Sequence, residues 1–134
     1  MYKRQRDIGE ITGSAVNFPM IADPNRVVSA MYDMIHPNAS DTSTVRSVFV
    51  IAPDHSVKLT MTYPASVGRN FDEVLRVLDA LQLAAKYPVV TPANWQPGQD
   101  VIVSLSLSTE DARKALPKGV TELKPYFRTT PIPD

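Results

Sequence analysis

The chain has 134 residues, 43% of them hydrophobic and 21% charged, which is typical of a globular domain and excludes a disordered segment. Its 14 basic and 14 acidic residues cancel, which excludes the basic field that binds nucleic acid or an anionic membrane. The chain contains no cysteine, and its two histidines, His36 and His55, are far apart, so we expect neither thiol chemistry nor a metal site.

Two further features of the sequence bear on the location of the protein. No apolar run approaches the roughly 18 residues of a transmembrane helix, and the N-terminal stretch MYKRQRDIGE lacks the apolar core of a signal peptide. We therefore expect a cytoplasmic protein that has no membrane partner.

The N-terminal third predicts short elements. Residues 8–16 indicate a helix remnant and a loop, and NFPMIAD, residues 17–23, is an apolar run of strand length. Asp23 then fits an N-cap and Pro24 a first helical position, so a helix is predicted to follow. This helix is predicted to end at His36, because the next residue is a proline.

Two strands joined by a turn come next. Residues 45–51 are apolar almost throughout after Arg46, which favours a strand covered on both faces. Asp54 lies in the turn, where its side chain is expected to cap its own backbone. Residues 57–63 alternate strictly between apolar and polar side chains, which is typical of a strand at a sheet edge.

A helix is predicted directly after Arg69, in the stretch GRNFDEVLRVLDALQ. Asn70 is a candidate N-cap, and Glu73 fits a variant of the capping box. Arg69 lies at the end of the helix that carries partial positive charge and disfavours cations, so the position needs an explanation. The apolar stripe of this helix consists of Phe71, Val74, Leu75, Leu78 and Leu81.

Past Tyr87 the sequence changes character and indicates a small appended subdomain. A proline-rich connection contains Trp95, the only tryptophan, which we interpret as an anchor for this connection. Residues 100–108 alternate as a strand, and a short helix is predicted from Ser108 to the Pro117-Lys118-Gly119 stretch. A last extended segment completes the chain.

Arg46 and Arg69 are the candidate functional residues. If their guanidinium groups converge, they form an anion site or lower the pKa of a nearby thiol. The pattern alone favours the alternative, two surface arginines in salt bridges. His36 is expected to pack or to cap, and His55 to be solvated. The sequence has no GxSxG elbow and no glycine-rich phosphate loop, so serine hydrolysis and nucleotide chemistry lack support.

Several stretches together resemble the C-terminal part of one-cysteine peroxiredoxins, namely NFPMIAD, MYDMIHP, TVRSVFVIAPD, TYPASVGRNFDEVLRVLDALQL, VTPANWQPGQD, PKGV and YFRTTP. The resemblance implies an α/β chain, consisting of the C-terminal half of a thioredoxin-like domain and a small α+β subdomain. It assigns residues 6–91 to the former and residues 92–134 to a dimerisation subdomain. Residues 1–5 do not resemble the family.

The resemblance also implies a chemistry. Peroxiredoxins reduce hydrogen peroxide and organic hydroperoxides with a cysteine thiolate, use a thiol reductant and need no cofactor. Arg46 matches the family arginine that hydrogen-bonds the thiolate and the peroxide, and Arg69 matches a second arginine that supports the site. Asp54 matches an aspartate found in some phospholipase-like relatives, but its serine and histidine partners are absent from this chain.

This chain departs from the family because the PVCTTE-like segment and its cysteine are missing. Two interpretations follow. In the first, the chain is a fragment of a peroxidase whose nucleophile lies in the missing N-terminal half. In the second, it is a catalytically inactive, cysteine-free remnant that acts as an interaction module. Under both, we expect self-association through the edge strand, residues 57–63, and through the C-terminal subdomain.

Overall fold

A computed structural model describes residues 2–35 and 44–133. Contacts divide the chain into two compact units: Met1–Ser47 with Thr62–Val67, and Val48–Met61 with Gly68–Asp134. No helix in the described ranges is long and apolar enough to cross a bilayer. The elements are, in chain order, α1 (Tyr2–Thr12), α2 (Val27–Met31), β1 (Arg46–Ile51), β2 (Val57–Tyr63), α3 (Phe71–Lys86), β3 (Val89–Val90), β4 (Val101–Val103), α4 (Thr109–Ala115), β5 (Thr121–Lys124) and β6 (Phe127–Thr130).

The first unit begins with α1, which starts earlier than the helix remnant predicted for residues 8–16. The helix ends at Thr12, and the next residue, Gly13, has a φ of 70°, the left-handed conformation that commonly stops a helix. The N–H of Gly13 donates to the carbonyl of Gly9 at 2.9 Å. The strand predicted for residues 17–23 is wrong, because these residues form neither helix nor strand. A strand requires a hydrogen-bonded neighbour, and neither described sheet includes this run.

The helix predicted after Asp23 is shorter than expected. Asp23 has a φ of 44°, and the helix begins only at Val27. The Asp23 carboxylate still accepts hydrogen bonds from the N–H groups of Val28 (3.1 Å) and Ser29 (2.8 Å) and from the Ser29 hydroxyl (2.6 Å). These bonds, led by the Ser29 hydroxyl, hold the pKa of Asp23 below its ordinary range. The helix ends at Met31 rather than at His36, which lies outside the described residues.

Strands β1 and β2 form a two-stranded hairpin, and β2 spans the residues that the alternation predicted. At the turn, the Ala52 N–H donates to the Ser56 carbonyl at 2.9 Å. The hydroxyl groups of Ser47 and Thr62 lie 3.1 Å apart at the other end of the hairpin. The expectation that β1 is covered on both faces is wrong in this structure, since none of its residues is fully buried.

Helix α3 starts where the sequence predicts. The Asn70 side-chain carbonyl accepts hydrogen bonds from the N–H groups of Asp72 (3.1 Å) and Glu73 (3.3 Å), which confirms it as the N-cap. The predicted capping box is not formed, because the Glu73 carboxylate binds the Arg76 guanidinium instead. No residue of α3 is fully buried, although the helix carries a long apolar stripe.

The second unit contains a four-stranded antiparallel sheet in the order β3-β4-β6-β5. Val101 and Val103 of β4 point into its core and are at most 1% exposed. The predicted strand 100–108 is shorter because a turn follows β4, in which the hydroxyls of Ser104 and Ser106 lie 2.8 Å apart. The buried apolar core consists of Val89, Trp95, Val101, Val103, Ala112 and Leu116.

Candidate functional site

Arg46 is the first residue of β1 and belongs to the first unit. Its side chain is exposed, and its Nη1 donates a hydrogen bond to the carbonyl of Val67 at 3.1 Å. Val67 closes a turn onto Pro64 after β2, with a hydrogen bond of 2.9 Å between its N–H and the Pro64 carbonyl. The guanidinium group is therefore attached to the loop that leads into α3, and it keeps further N–H donors for an anion.

Arg69 belongs to the second unit and directly precedes the N-cap of α3. Its guanidinium carbon lies 5.8 Å from the centre of the Phe71 ring, within the range of a cation–π contact. This contact keeps the arginine beside the first turn of the helix, while Asn70 satisfies the N–H groups there. Arg69 therefore supplies positive charge at this position without competing for those donors.

In the part of the chain that the structure describes, the salt bridges that the pattern favoured for these two arginines are not found. Among the described residues, neither Arg46 nor Arg69 has a carboxylate within ion-pair distance. An exposed guanidinium without an acidic partner can accept a thiolate, an oxyanion or another anion as its counter-charge. Arg46 belongs to the first unit and Arg69 to the second.

In the hairpin turn, the side chain of Asp54 caps the backbone. The Asp54 carboxylate accepts hydrogen bonds from the N–H (3.0 Å) and the hydroxyl (2.5 Å) of Ser56, as the turn prediction implied. These bonds, led by the hydroxyl, hold the pKa of Asp54 below its ordinary range. His55 is exposed, with a φ of 65°. Within the described ranges, no group of three His, Asp or Glu side chains is placed to hold a metal ion.

Two arginines that the sequence reasoning passed over have structural roles. Arg76 forms two hydrogen bonds with the Glu73 carboxylate (2.6 and 2.7 Å) and a third with the Trp95 carbonyl at 3.3 Å. Arg128 of β6 is 3% exposed and donates to the Ser104 carbonyl at 3.2 Å. The i, i+3 spacing of Glu73 and Arg76 was a signal for the first pair. Nothing local in the sequence marks Arg128, because its burial depends on the sheet.

Comparisons with known proteins agree with the fold. A family model described as the C-terminal domain of 1-Cys peroxiredoxin matches residues 80–119. A 1-Cys peroxiredoxin of Dictyostelium discoideum is 50% identical over 129 residues, which cover 96% of this chain and 54% of that protein. The chain spans about half the length of this relative and lines up with its C-terminal portion.

Solved structures extend the likeness to three dimensions. The yeast mitochondrial 1-Cys peroxiredoxin has a TM-score of 0.87 and 47% identity, covering 97% of this chain and 64% of that one. A cysteine-to-serine variant of peroxiredoxin 6 from Arenicola marina has a TM-score of 0.86 and 38% identity, covering 99% of this chain and 65% of that one. Fold and sequence therefore relate the chain to the C-terminal portion of the peroxiredoxins and to their thioredoxin-like fold. Within that class, the chain is related to the one-cysteine peroxiredoxins.

Proposed function

We propose that this chain is the C-terminal part of a thiol peroxidase that reduces hydrogen peroxide and organic hydroperoxides. The observation that carries the proposal is Arg46, an arginine at a strand start that is held by a backbone carbonyl and has no acidic partner among the described residues. The chain lacks cysteine, so the nucleophile must come from the N-terminal portion that its relatives possess.

The chemistry gives Arg46 and Arg69 separate roles. A cysteine thiolate attacks one peroxide oxygen, so that an S–O bond forms, the O–O bond breaks and the departing alkoxide or hydroxide takes up a proton. The sulfur becomes a sulfenic acid, which two molecules of a thiol reductant return to the thiol with release of water and a disulfide. Arg46 donates hydrogen bonds to the thiolate and the departing oxygen, and Arg69 adds positive charge that lowers the thiol pKa.

A single-chain fusion tests this proposal. The N-terminal portion of the Dictyostelium relative that lies outside the match is joined to this chain as one polypeptide. Stopped-flow kinetics with hydrogen peroxide then give the second-order rate of thiol oxidation. We expect Arg46→Met to lower this rate by about 10²–10³-fold, since a donor used in the transition state is lost. The thiol pKa should rise toward the unperturbed value of about 8.5.

Arg113→Met is the matched control, because it removes an exposed arginine in the last turn of α4. It should leave both the rate and the thiol pKa unchanged. Arg69→Met should raise the thiol pKa with a smaller loss of rate. If a folded Arg46→Met fusion reacts as fast as the parent fusion, the role assigned to Arg46 is wrong.

The absence of cysteine also favours a second candidate function, a remnant that acts only as an interaction module. Exposed apolar side chains in the C-terminal subdomain support self-association, among them Leu105 (72% exposed), Leu123 (55%) and Tyr126 (70%). In this interpretation the fusion remains unreactive with peroxide, while the chain forms dimers through residues 57–63 and 92–134. Peroxide turnover by the fusion therefore separates the two candidates.

The reductant and the location belong to the same proposal. In the yeast protein, the thiol is resolved through the glutathione and thioredoxin systems. We propose a thiol reductant of that class for the intact form of this protein. That yeast relative is mitochondrial, whereas we propose a cytoplasmic location for this protein. A fluorescent fusion imaged with organelle markers distinguishes the two compartments.

A further inference from the structure

The chain has no cysteine, so its five methionines carry all of its sulfur. A hydroperoxide converts the methionine thioether to a sulfoxide, and the reaction requires that the oxidant reach the sulfur atom. The structure describes four of these methionines, namely Met20, Met31, Met34 and Met61. Their exposure therefore predicts which sulfur reacts first.

Met31 is the most exposed of the four described methionines. It is the last residue of α2 and is 75% exposed. The turn around it is held by the backbone, because the N–H of Tyr32 donates to the carbonyl of Val28 at 3.1 Å. Val27, one helical turn earlier on the same face, is 62% exposed. The thioether of Met31 is therefore open to a dissolved oxidant.

The other three described methionines, Met20, Met34 and Met61, are half-buried. The N–H of Met34 donates to the carbonyl of Ser29, and the carbonyl of Met34 accepts from the N–H of Val45, both at 2.8 Å. Met61 lies within β2, which is paired with β1. A sulfur that is covered in this way reacts fully only when the structure around it opens. Folding therefore separates Met31 from these three.

We propose that Met31 is a site of reversible oxidation by hydroperoxides. The sulfur attacks the hydroxyl oxygen of the peroxide, so that an S–O bond forms and the O–O bond breaks. The hydroxyl proton passes to the departing oxygen, which leaves as water or an alcohol. A methionine sulfoxide reductase restores the thioether with two thiol groups, which become a disulfide as water is released. The chain thus keeps a sulfur that consumes peroxide without any cysteine, and this inference does not rest on the proposed function.

The position of Met31 suits repeated oxidation and repair. A sulfoxide is polar, and at a packed methionine it disrupts the apolar contacts of the side chain. At Met31 the added oxygen faces water, because the side chain is already exposed. We therefore expect oxidation at this site to leave the fold intact and the sulfoxide accessible to the reductase.

Timed oxidation of the folded chain tests the inference. The chain is treated with hydrogen peroxide, catalase stops the reaction, and peptide mass spectrometry measures the added oxygen at each methionine. We expect Met31 to be oxidised about fivefold faster, or more, than Met34 or Met61. In urea that unfolds the chain, the rates at these sites should agree within about twofold, because folding supplies the shielding.

Repair of the sulfoxide is the second measurement. After the peroxide is removed, reductases for both sulfoxide epimers, supplied with dithiothreitol, should return Met31 to the thioether in the folded chain. Met31→Leu should lower the amount of peroxide that the chain consumes over repeated cycles, and Met34→Leu, the matched control, should not. Equal rates at Met31 and Met61 in the folded chain, a Met31 sulfoxide that resists both reductases, or equal losses in the two variants would each overturn the inference.

Discussion

A cation directly before a helix is tolerated when another side chain satisfies the N–H groups of the first turn. In this chain Asn70 does so, with hydrogen bonds of 3.1 and 3.3 Å to the N–H groups of Asp72 and Glu73. Arg69 is left to contact the Phe71 ring at 5.8 Å. The arginine and the cap therefore have separate tasks, and the cost of the unfavourable helix dipole falls on an exposed, well-solvated guanidinium.

The cap gives the first prediction. Asn70→Ala removes the side-chain acceptor for two N–H groups, so we expect it to lower the free energy of unfolding by about 1 kcal/mol. Asn70→Asp retains an acceptor at the same place and should remain close to the parent chain. Urea unfolding followed by circular dichroism measures both variants. Equal midpoints for Asn70→Ala and the parent would show that the cap does not stabilise α3.

The second prediction concerns pH and the Glu73–Arg76 pair. Hydrogen bonds from Arg76 are the main cause that lowers the pKa of Glu73, and the pKa of Arg76 is raised in return. A carboxyl whose pKa is lower in the folded state stabilises the fold above its unfolded pKa, about 4.3, and loses this contribution as pH falls through the folded value.

Glu73→Gln should therefore be less stable than the parent chain at pH 7, with a difference that shrinks below about pH 4. Thermal unfolding midpoints across this range measure the difference, and Glu110→Gln serves as the control because its partner Lys114 is highly exposed. A difference between Glu73→Gln and the parent that stays constant down to pH 3 would contradict the assignment.

At the scale of elements, the C-terminal sheet and α4 form a core of their own. Trp95 is 2% exposed, and its indole N–H donates to the Gln99 carbonyl at 3.0 Å. Arg76 of α3 donates a hydrogen bond to the Trp95 carbonyl and so connects this helix to the core. Sequence reasoning identified Trp95 as the anchor of the proline-rich connection, and its burial confirms that interpretation.

The third prediction tests this core. Leu116 is fully buried, so Leu116→Ala should cost roughly 2–5 kcal/mol, because it removes apolar contacts and leaves a cavity. Leu105→Ala makes the same change at a side chain that is 72% exposed and should cost less than about 0.5 kcal/mol. The emission of the single tryptophan reports unfolding in both variants. Similar losses at the two sites would contradict a core centred on Leu116.

At the scale of the whole molecule, burial is distributed unevenly. In the described residues, the buried apolar core lies between Val89 and Leu116, whereas α2, the hairpin and α3 contain no fully buried residue. This distribution matches a chain that spans about half of its relatives. Apolar side chains of α2, the hairpin and α3, such as Met31 (75% exposed), Ile51 (46%) and Leu75 (59%), are therefore left in contact with water.

The fourth prediction concerns self-association. If the C-terminal subdomain forms the dimer, Leu123→Asp should raise the dimer dissociation constant of the single-chain fusion at least tenfold, because it places a charge in an apolar contact. Ile11→Asp is the control, since Ile11 is 84% exposed and lies in α1, outside the proposed surface. Sedimentation velocity measures both. A fusion that dimerises equally well with Leu123→Asp would exclude this surface.

What the sequence by itself determined was set by short-range interactions. The Asn70 cap, the alternation of residues 57–63 and the start of α4 after Ser108 depend on neighbours within about four positions, and all three agree with the structure. The family could also be recognised from the sequence, because its motifs are contiguous stretches. Local signals of this kind need no knowledge of the path of the chain.

Only the tertiary structure decided which distant groups meet. Residues 17–23 have the composition of a strand but no strand to pair with, and Glu73 binds Arg76 instead of closing the capping box. The bond from Arg46 to Val67 spans 21 positions, and one face of α3, which carries Ala80 and Leu83, packs against the C-terminal core. Such contacts follow from the course of the backbone, which brings together residues that no local pattern connects.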